Sequence, residues 1–293
     1  MSTETASREA EPQLGRPTDT SVPPESERIR MVLAGSDGRP RRAGPVTASV
    51  TYGWRALLKI KHVPEQLFDV TVFPIMMTVM FTYIFGGALA GSVDQYVQWL
   101  IPGIFVQTLV MVTMYTGLTL NRDISKGIFD RFRSLPTWRP AQLVGALLGD
   151  QVRYVLAGVI ILAVGFVMGF RPDGGAVGVV AAFLMLLVFS FSLSWIWTMI
   201  SLLVRSEQAA MGVSMFILMP LMFASNIFVD PETMPDWLQA AVEVNPVSVV
   251  VTTVRELMAG TYDLSSVGLV ALCCAVLVAV FGPISMFIYN RKS

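Results

Sequence analysis

Six stretches of this chain are long and apolar enough to cross a lipid bilayer, and nothing else in it constrains the fold as strongly. They run over about 70–88, 98–120, 141–169, 177–204, 209–228 and 265–289. A spanning helix needs about 20 mainly apolar residues. Inside lipid every backbone N–H and C=O must find a partner within the protein, which leaves helices or a closed barrel. Apolar runs of this length are helical, so the expected fold is an all-α integral membrane protein with six transmembrane helices. Composition agrees. Charged residues make up 14% of the chain, against about 25% in an ordinary soluble domain.

The third run departs from the pattern. Asp150 and Arg153 sit in its first half, and its strictly apolar part starts at Tyr154. At i,i+3 on a helix the two can pair, which reads as a structural ion pair near the inner face. The cysteines, Cys273 and Cys274, are neighbours in an apolar run, and His62 is the lone histidine. Neither a disulfide between neighbours nor a zinc or haem site is expected from them.

Residues 1–45 are polar, rich in Pro, Gly and Ser, and balanced in charge with seven Arg and seven Asp or Glu. They read as a disordered cytoplasmic tail, and no apolar signal sequence follows the first residues. The membrane domain then covers 46–293. Its first part, 48–68, mixes Trp54, Leu57, Leu58 and Ile60 with Arg55, Lys59 and Lys61. This is the pattern of a basic amphipathic helix lying in the membrane interface. Leu67, Phe68 and Asp69 close that segment before the first span.

With the N-terminus inside, the inner loops hold eight basic residues: Arg122, Lys126, Arg131, Arg133, Arg139, Arg205, Arg291 and Lys292. The outer loops hold two, Arg171 and Arg255. Positive charge collects on the cytoplasmic side, so both termini are expected there. The outer segment 229–262 is more than a loop. Met234–Val244 and Pro246–Met258 are helix-compatible and too short to span, and Asn245-Pro246 separates them as a turn and cap. Gly260 is a natural stop. Two short apolar helices between two spans imply a re-entrant segment.

No energy source is visible. A phosphate-binding loop needs Gly before Lys, and the four lysines follow Leu58, Ile60, Ser125 and Arg291. Outside the third run, the spans carry no carboxylate of the kind that couples ions. No catalytic constellation is apparent, so the chain is expected to be no enzyme.

Five segments in order carry a family resemblance: EQLFDV at 65–70, YIFGGALAGS at 83–92, YVQWLIPGI at 96–104, DISKGIFDRFRSLP at 123–136 and VNPVSVVVTTVRELMAG at 244–260. The chain resembles the ABC-2 type transporter permeases, and within them the daunorubicin-resistance-like branch. The resemblance implies a homodimer or related pair of six-span subunits, each docking a separate subunit that binds ATP and magnesium. It implies that the loop after the second span is a coupling helix, that the interfacial helix with Trp54 is a second contact, and that a re-entrant segment bearing Asn245, Pro246, Arg255 and Glu256 closes the outer end.

The coupling stretch also stands on its own residues. Over 122–136, Ile124, Ile128, Phe132 and Leu135 share one helical face, and Pro136 ends it. On physical grounds alone it could rest on anionic lipid. As a docking helix, Phe129 and Phe132 would anchor it, and Lys126, Asp130, Arg131 and Arg133 would orient it, up to Ser134, Leu135 and Pro136. Met211, Met215, Met219 and Met222 form a stripe on the fifth span, suited either to packing or to apolar cargo. Ser190, Ser194, Thr198 and Ser201 on the fourth read first as helix contact.

The expected function is a permease subunit exporting a hydrophobic or amphipathic drug or natural product through the cell membrane. Export of a lipid or lipid-linked glycan, and a non-transporting scaffold or sensor, are the alternatives. The expected partners are an ATP-binding subunit, a second copy, the bilayer and a small apolar molecule, with no nucleic acid.

Overall fold

The computed structural model describes residues 64–126 and 141–291, and every described element is helical. The tail, the interfacial stretch 48–63 with Trp54, and 127–140 with Phe129, Asp130, Arg131, Phe132, Arg133, Ser134, Leu135 and Pro136 lie outside the described residues. The helices are α1 (Pro64–Ala90), α2 (Val93–Ser125), α3 (Ala141–Val167), α4 (Gly175–Leu203), α5 (Glu207–Phe223), α6 (Asp236–Val244), α7 (Pro246–Ala259) and α8 (Leu264–Arg291). A 3-10 turn at Pro231–Thr233 precedes α6.

Four helices, α2, α3, α4 and α8, are long and apolar enough to cross a membrane by themselves. The pair α6–α7 passes the same test only when joined, and it bends by 78° at Asn245. The chain is therefore a multi-pass membrane protein. The bend falls where Asn-Pro stands in the sequence: Pro246 fits the first helical position of α7, and Asn245 before it is extended, at φ −70° and ψ 121°, the conformation a residue before proline favours.

Hydropathy and helix length disagree at three places. The interfacial segment was expected to end at 68 and a separate span to begin at 70. Instead α1 starts at Pro64 and runs unbroken to Ala90, so Leu67, Phe68 and Asp69 belong to that helix. Nothing between Pro64 and Pro74 breaks a helix, and Pro at the start favours one. The second span was expected over 98–120, but α2 is 33 residues long and ends at Ser125. Arg122, Asp123 and Ile124, assigned to the coupling helix, are therefore its last turn. Backbone hydrogen bonding continues past the apolar run, where hydropathy no longer reports it. The fifth span was expected to reach 228; α5 is 17 residues long and ends at Phe223. At 1.5 Å per residue it covers about 25 Å, and 224–229 continue as non-helical chain.

The core forms around α2, which packs against α1, α3, α4, α5 and α7. Leu100, Ile101, Ile104, Phe105, Leu109 and Val110 on it are fully buried. By contrast α8 packs on α4 and α7 and leaves Leu269, Leu272, Val276 and Val280 exposed, the composition of a lipid-facing helix. The Ser190–Ser194–Thr198–Ser201 stripe of α4 is buried throughout, as expected of a helix contact.

Close approach of α4 and α7 depends on Gly178. A Cβ there would lie 2.2 Å from the Leu257 carbonyl oxygen, inside any contact distance. Replacement by Val is expected to force the two helices apart and to cost about 1–3 kcal/mol, the usual scale of overpacking. A lower unfolding temperature of the purified protein in detergent would show it; unchanged stability would refute this packing.

Candidate functional site

The two ends of α2 organise two polar sites at opposite ends of the bundle. Three of its first residues tie down three different parts of the chain. The Tyr96 hydroxyl donates to the Phe228 carbonyl at 3.2 Å. Gln98 donates to the Gly169 carbonyl at 2.9 Å and accepts from the Arg171 N–H at 2.8 Å, holding the α3–α4 connection. Trp99 lies against Arg255 of α7, with the guanidinium carbon 3.7 Å from the ring centroid. A guanidinium over an aromatic face is attractive, the more so where water is scarce.

Arg255 and Asn245, both singled out in the sequence, converge on the stretch that leaves α5. Arg255 Nη2 donates to the carbonyls of Asn226 at 2.9 Å and Ile227 at 3.3 Å, and Nε donates to Trp99 O at 3.2 Å. Asn245 Nδ2 donates to the carbonyls of Leu221 at 2.7 Å and Ala224 at 2.6 Å. Its Oδ1 accepts from the Val247 N–H at 2.9 Å and so caps α7. One buried carboxamide thus closes the end of α5 and opens α7. Pro246 is the first residue of α7 and has no N–H to satisfy. Gly260 ends α7 at φ 82°, in the left-handed region that glycine enters without strain. Glu256 shares α7 but not this network. Its Oε2 is buried and has no hydrogen-bond partner among the described residues.

At the other end Asn121 repeats the device. Its Nδ2 donates to the carbonyls of Ser201 and Val204, both at 3.0 Å, where α4 ends. The next residue, Arg122, forms an ion pair with Glu207 in the first turn of α5, Nε to Oε2 at 3.1 Å. Glu207 suits a helix N-terminus, and Ser206 caps it by accepting from the Ala209 N–H at 3.2 Å. The pair is partly exposed, so its stabilising effect is about 0–1 kcal/mol. Its consequence is connection: the last turn of α2 is tied to α4 and α5 together. Lys126 is the C-cap of α2 and is exposed.

Between the ends, several polar groups pair inside the bundle. Asp150 and Arg153 form the buried ion pair that their spacing implied. The Tyr154 hydroxyl and Thr116 Oγ1 are 2.6 Å apart, and Trp197 Nε1 donates to Thr113 Oγ1 at 2.7 Å. These bonds join α3 and α4 to α2. No group of three or more His, Cys, Asp or Glu side chains among the described residues could hold a metal.

The methionine stripe divides. Met222 is buried in the core, whereas Met211 and Met219 are exposed on the outside of the subunit and Met215 is half-buried. Asn121, Trp99 and Asn226 were not singled out in the sequence. The signal for Asn121 and Asn226 was an asparagine flanking an apolar helix; the signal for Trp99 was Arg255, which needed a partner.

Residues 48–259 match the profile of the ABC-2 type transporter family. The chain belongs to that family. The match ends at the last residue of α7, so both polar ends of α2 fall within the ABC-2 region and α8 follows it. The chain is 50% identical over 276 residues to a daunorubicin-resistance ABC transporter permease of Streptomyces coeruleorubidus, covering 94% of this chain and 97% of that one. It is 22% identical over 224 residues to a protein of Mycobacterium tuberculosis described as a probable doxorubicin-resistance ABC transporter permease, covering 76% and 80%.

In this ABC-2 chain Asn245 can be tested by splitting its two roles. Asn245→Asp keeps the acceptor for Val247 but replaces the donor to two carbonyls with a repelling oxygen. Asn245→Ala removes both. Asp and Asn cap helices about equally, so a purely capping role predicts rescue by Asp. The geometry predicts none: both variants should lose about 1–3 kcal/mol of local stability, the cost of orphaned buried groups. Faster amide hydrogen exchange over 221–259 in both would show it.

Proposed function

We propose that this chain is the membrane-spanning permease subunit of an ATP-binding cassette exporter that moves a hydrophobic or amphipathic drug or natural product out of the cell. The observation that carries the reading is the 50% identity, over nearly the full length of both chains, to a daunorubicin-resistance permease. ATP and its magnesium are bound by a separate subunit. That assignment is supported by the lysines of this chain, none of which follows a glycine as a phosphate loop requires.

The working unit is a pair of these subunits, each with six spans. α1 and α5 are the first and fifth crossings, and α6–α7 is a re-entrant closure. Both termini face the cytoplasm, a reading supported by the eight basic residues on one set of loops against two on the other. The interfacial segment with Trp54 lies on the inner membrane surface.

The ATPase docks on the stretch from Lys126 to Pro136, which follows α2 directly. Phe129 and Phe132 anchor it and Arg131 and Arg133 orient it. Because α2 is tied at this end to α4 through Asn121 and to α5 through Glu207, a displacement of the docked segment acts on three helices together. Cargo moves along the face carrying Met211, Met215 and Met219, whose flexible thioethers suit varied apolar surfaces. Met222, being buried in the subunit core, is not part of that face.

The test is ATP-driven uptake of an apolar fluorescent drug by inverted vesicles holding the permease and its ATPase. Phe132→Ala and Arg131→Ala should insert normally and retain ATP hydrolysis, while uptake falls about tenfold or more, the scale of losing an interface anchor. Wild-type uptake in both variants would overturn the docking assignment. No ATP-driven drug uptake by the unmutated complex, with envelope lipids altered in a deletion strain, would overturn drug export.

A further inference from the structure

Both flanks of the stretch assigned to the ATPase run into one small apolar cluster, separate from the main core. Leu120 of α2, Leu143 of α3, Leu202 of α4 and Tyr289 of α8 are buried together there, and Ile124, Met286 and Ile288 pack against them. Leu120 and Ile124 stand one turn apart on α2, just before its C-cap at Lys126. Leu143 lies in the first turn of α3, the first described helix after that stretch. Asn121, next to Leu120, ties α2 to the end of α4 beside Leu202. The cluster therefore lies at the end of the bundle that Asn121 and Arg122 organise.

Tyr289 is the unexpected member. Tyrosines near a membrane surface usually hold their rings at the level of the headgroups. Tyr289 is 8% exposed and buried in the cluster. The last turns of α8 are two-sided. Ser285 and Tyr289, one turn apart, are both buried, and Ser285 Oγ donates to the Trp195 carbonyl of α4 at 3.4 Å. Ile284, Phe287 and Arg291 are exposed, and the Arg291 guanidinium carbon lies 4.5 Å from the centre of the Phe287 ring. Phe287 and Arg291 thus occupy the surface, and the tyrosine ring is turned to the cluster.

Force reaches a helix only through the groups that touch it, and close-packed side chains transmit displacement. Val270 and Cys274 hold the first half of α8 in the main core. Beyond them Val276, Val280 and Ile284 are exposed. Tyr289 then fixes the last turn to the ends of three other helices.

We propose that Tyr289 is a positioning residue that passes displacement of the docking end of α2 and α3 to α8. The inference goes beyond the docking reading, which reaches α2, α4 and α5, and rests on it for the source of the displacement. The ring shares its cluster with Leu120 and Ile124 ahead of the docking stretch and with Leu143 behind it. A shift of that stretch repacks the cluster, and the end of α8 follows.

The experiment uses the permease with its ATPase partner in lipid vesicles and reads two quantities. One is the uptake of the apolar dye Nile red per ATP hydrolysed. The other is the change in amide hydrogen exchange over α8 when ATP is added. In Tyr289→Ala the uptake per ATP should fall about three- to tenfold, the scale on which residues along a coupled path act. The exchange response to ATP should persist over α2 and be lost over α8. Tyr289→Phe keeps the ring and should behave as the unmutated complex. Ile124→Ala should lower uptake per ATP as well. The double variant should fall no further than the worse single one, because residues that share one path are not additive. A Tyr289 with only a structural role would lower the unfolding temperature and leave uptake per ATP and the α8 response unchanged, which overturns the proposal. Multiplied effects in the double variant, or a Phe variant as impaired as Ala, overturn it too. If Tyr289→Ala does not insert, Ile124→Ala decides: loss of the α8 response sustains the link and its retention overturns it. The exchange readout needs no transport. An α8 response that depends on Tyr289, without ATP-driven uptake by the unmutated complex, sustains the link and sinks export. Uptake without any α8 response sinks the link and leaves export standing.

Discussion

A helix that ends near lipid leaves its last carbonyls without partners, and water is not at hand to supply them. Much of this structure follows from how those carbonyls are satisfied. Asn121 serves the end of α4 and Asn245 serves the end of α5. In both cases a carboxamide from a distant part of the chain donates two hydrogen bonds. The bonds therefore do more than complete a helix: each pins one helix end to a different part of the chain. At the Asn245 end, Arg255 extends the same service to the carbonyls of Asn226 and Ile227, beyond the last turn of α5.

Because α2 reaches both sites, the two ends are mechanically related. Its 33 residues span about 50 Å at 1.5 Å per residue. Tyr96, Gln98 and Trp99 hold one end and Asn121 and Arg122 the other. Along the middle it is packed on five neighbours and joined to α3 and α4 through Thr116 and Thr113. A central helix fixed in this way ties its neighbours to one another along most of its length.

The membrane character, the helical class and the approximate place of each apolar helix were legible in the sequence. So were the α6–α7 break at Asn245-Pro246 and the stop at Gly260, because these residues act through their own backbone. Helix ends were less legible. α2 runs past both ends of its apolar run, since hydropathy reports the lipid and not the hydrogen-bond ladder. α5 stops at Phe223 although Ile227 and Phe228, which follow it, are apolar enough to extend the run. Of the residues singled out between 245 and 256, Asn245 and Arg255 meet on one stretch of chain, while Glu256 does not join them. The methionine stripe looked uniform, yet Met222 faces the core and Met211 and Met219 face outward.

What the sequence by itself determined is local: apolar length, turn chemistry, the i,i+3 spacing of Asp150 and Arg153, and the absence of Gly before Lys. Each depends on residues a few positions apart. What only the tertiary structure decided is which distant groups meet. Asn121 is 80 residues from Ser201, and Arg255 is 156 from Trp99. No periodicity encodes such meetings. They follow from the packing of whole helices around α2, and packing sums over the complete surface of each helix rather than over any short motif.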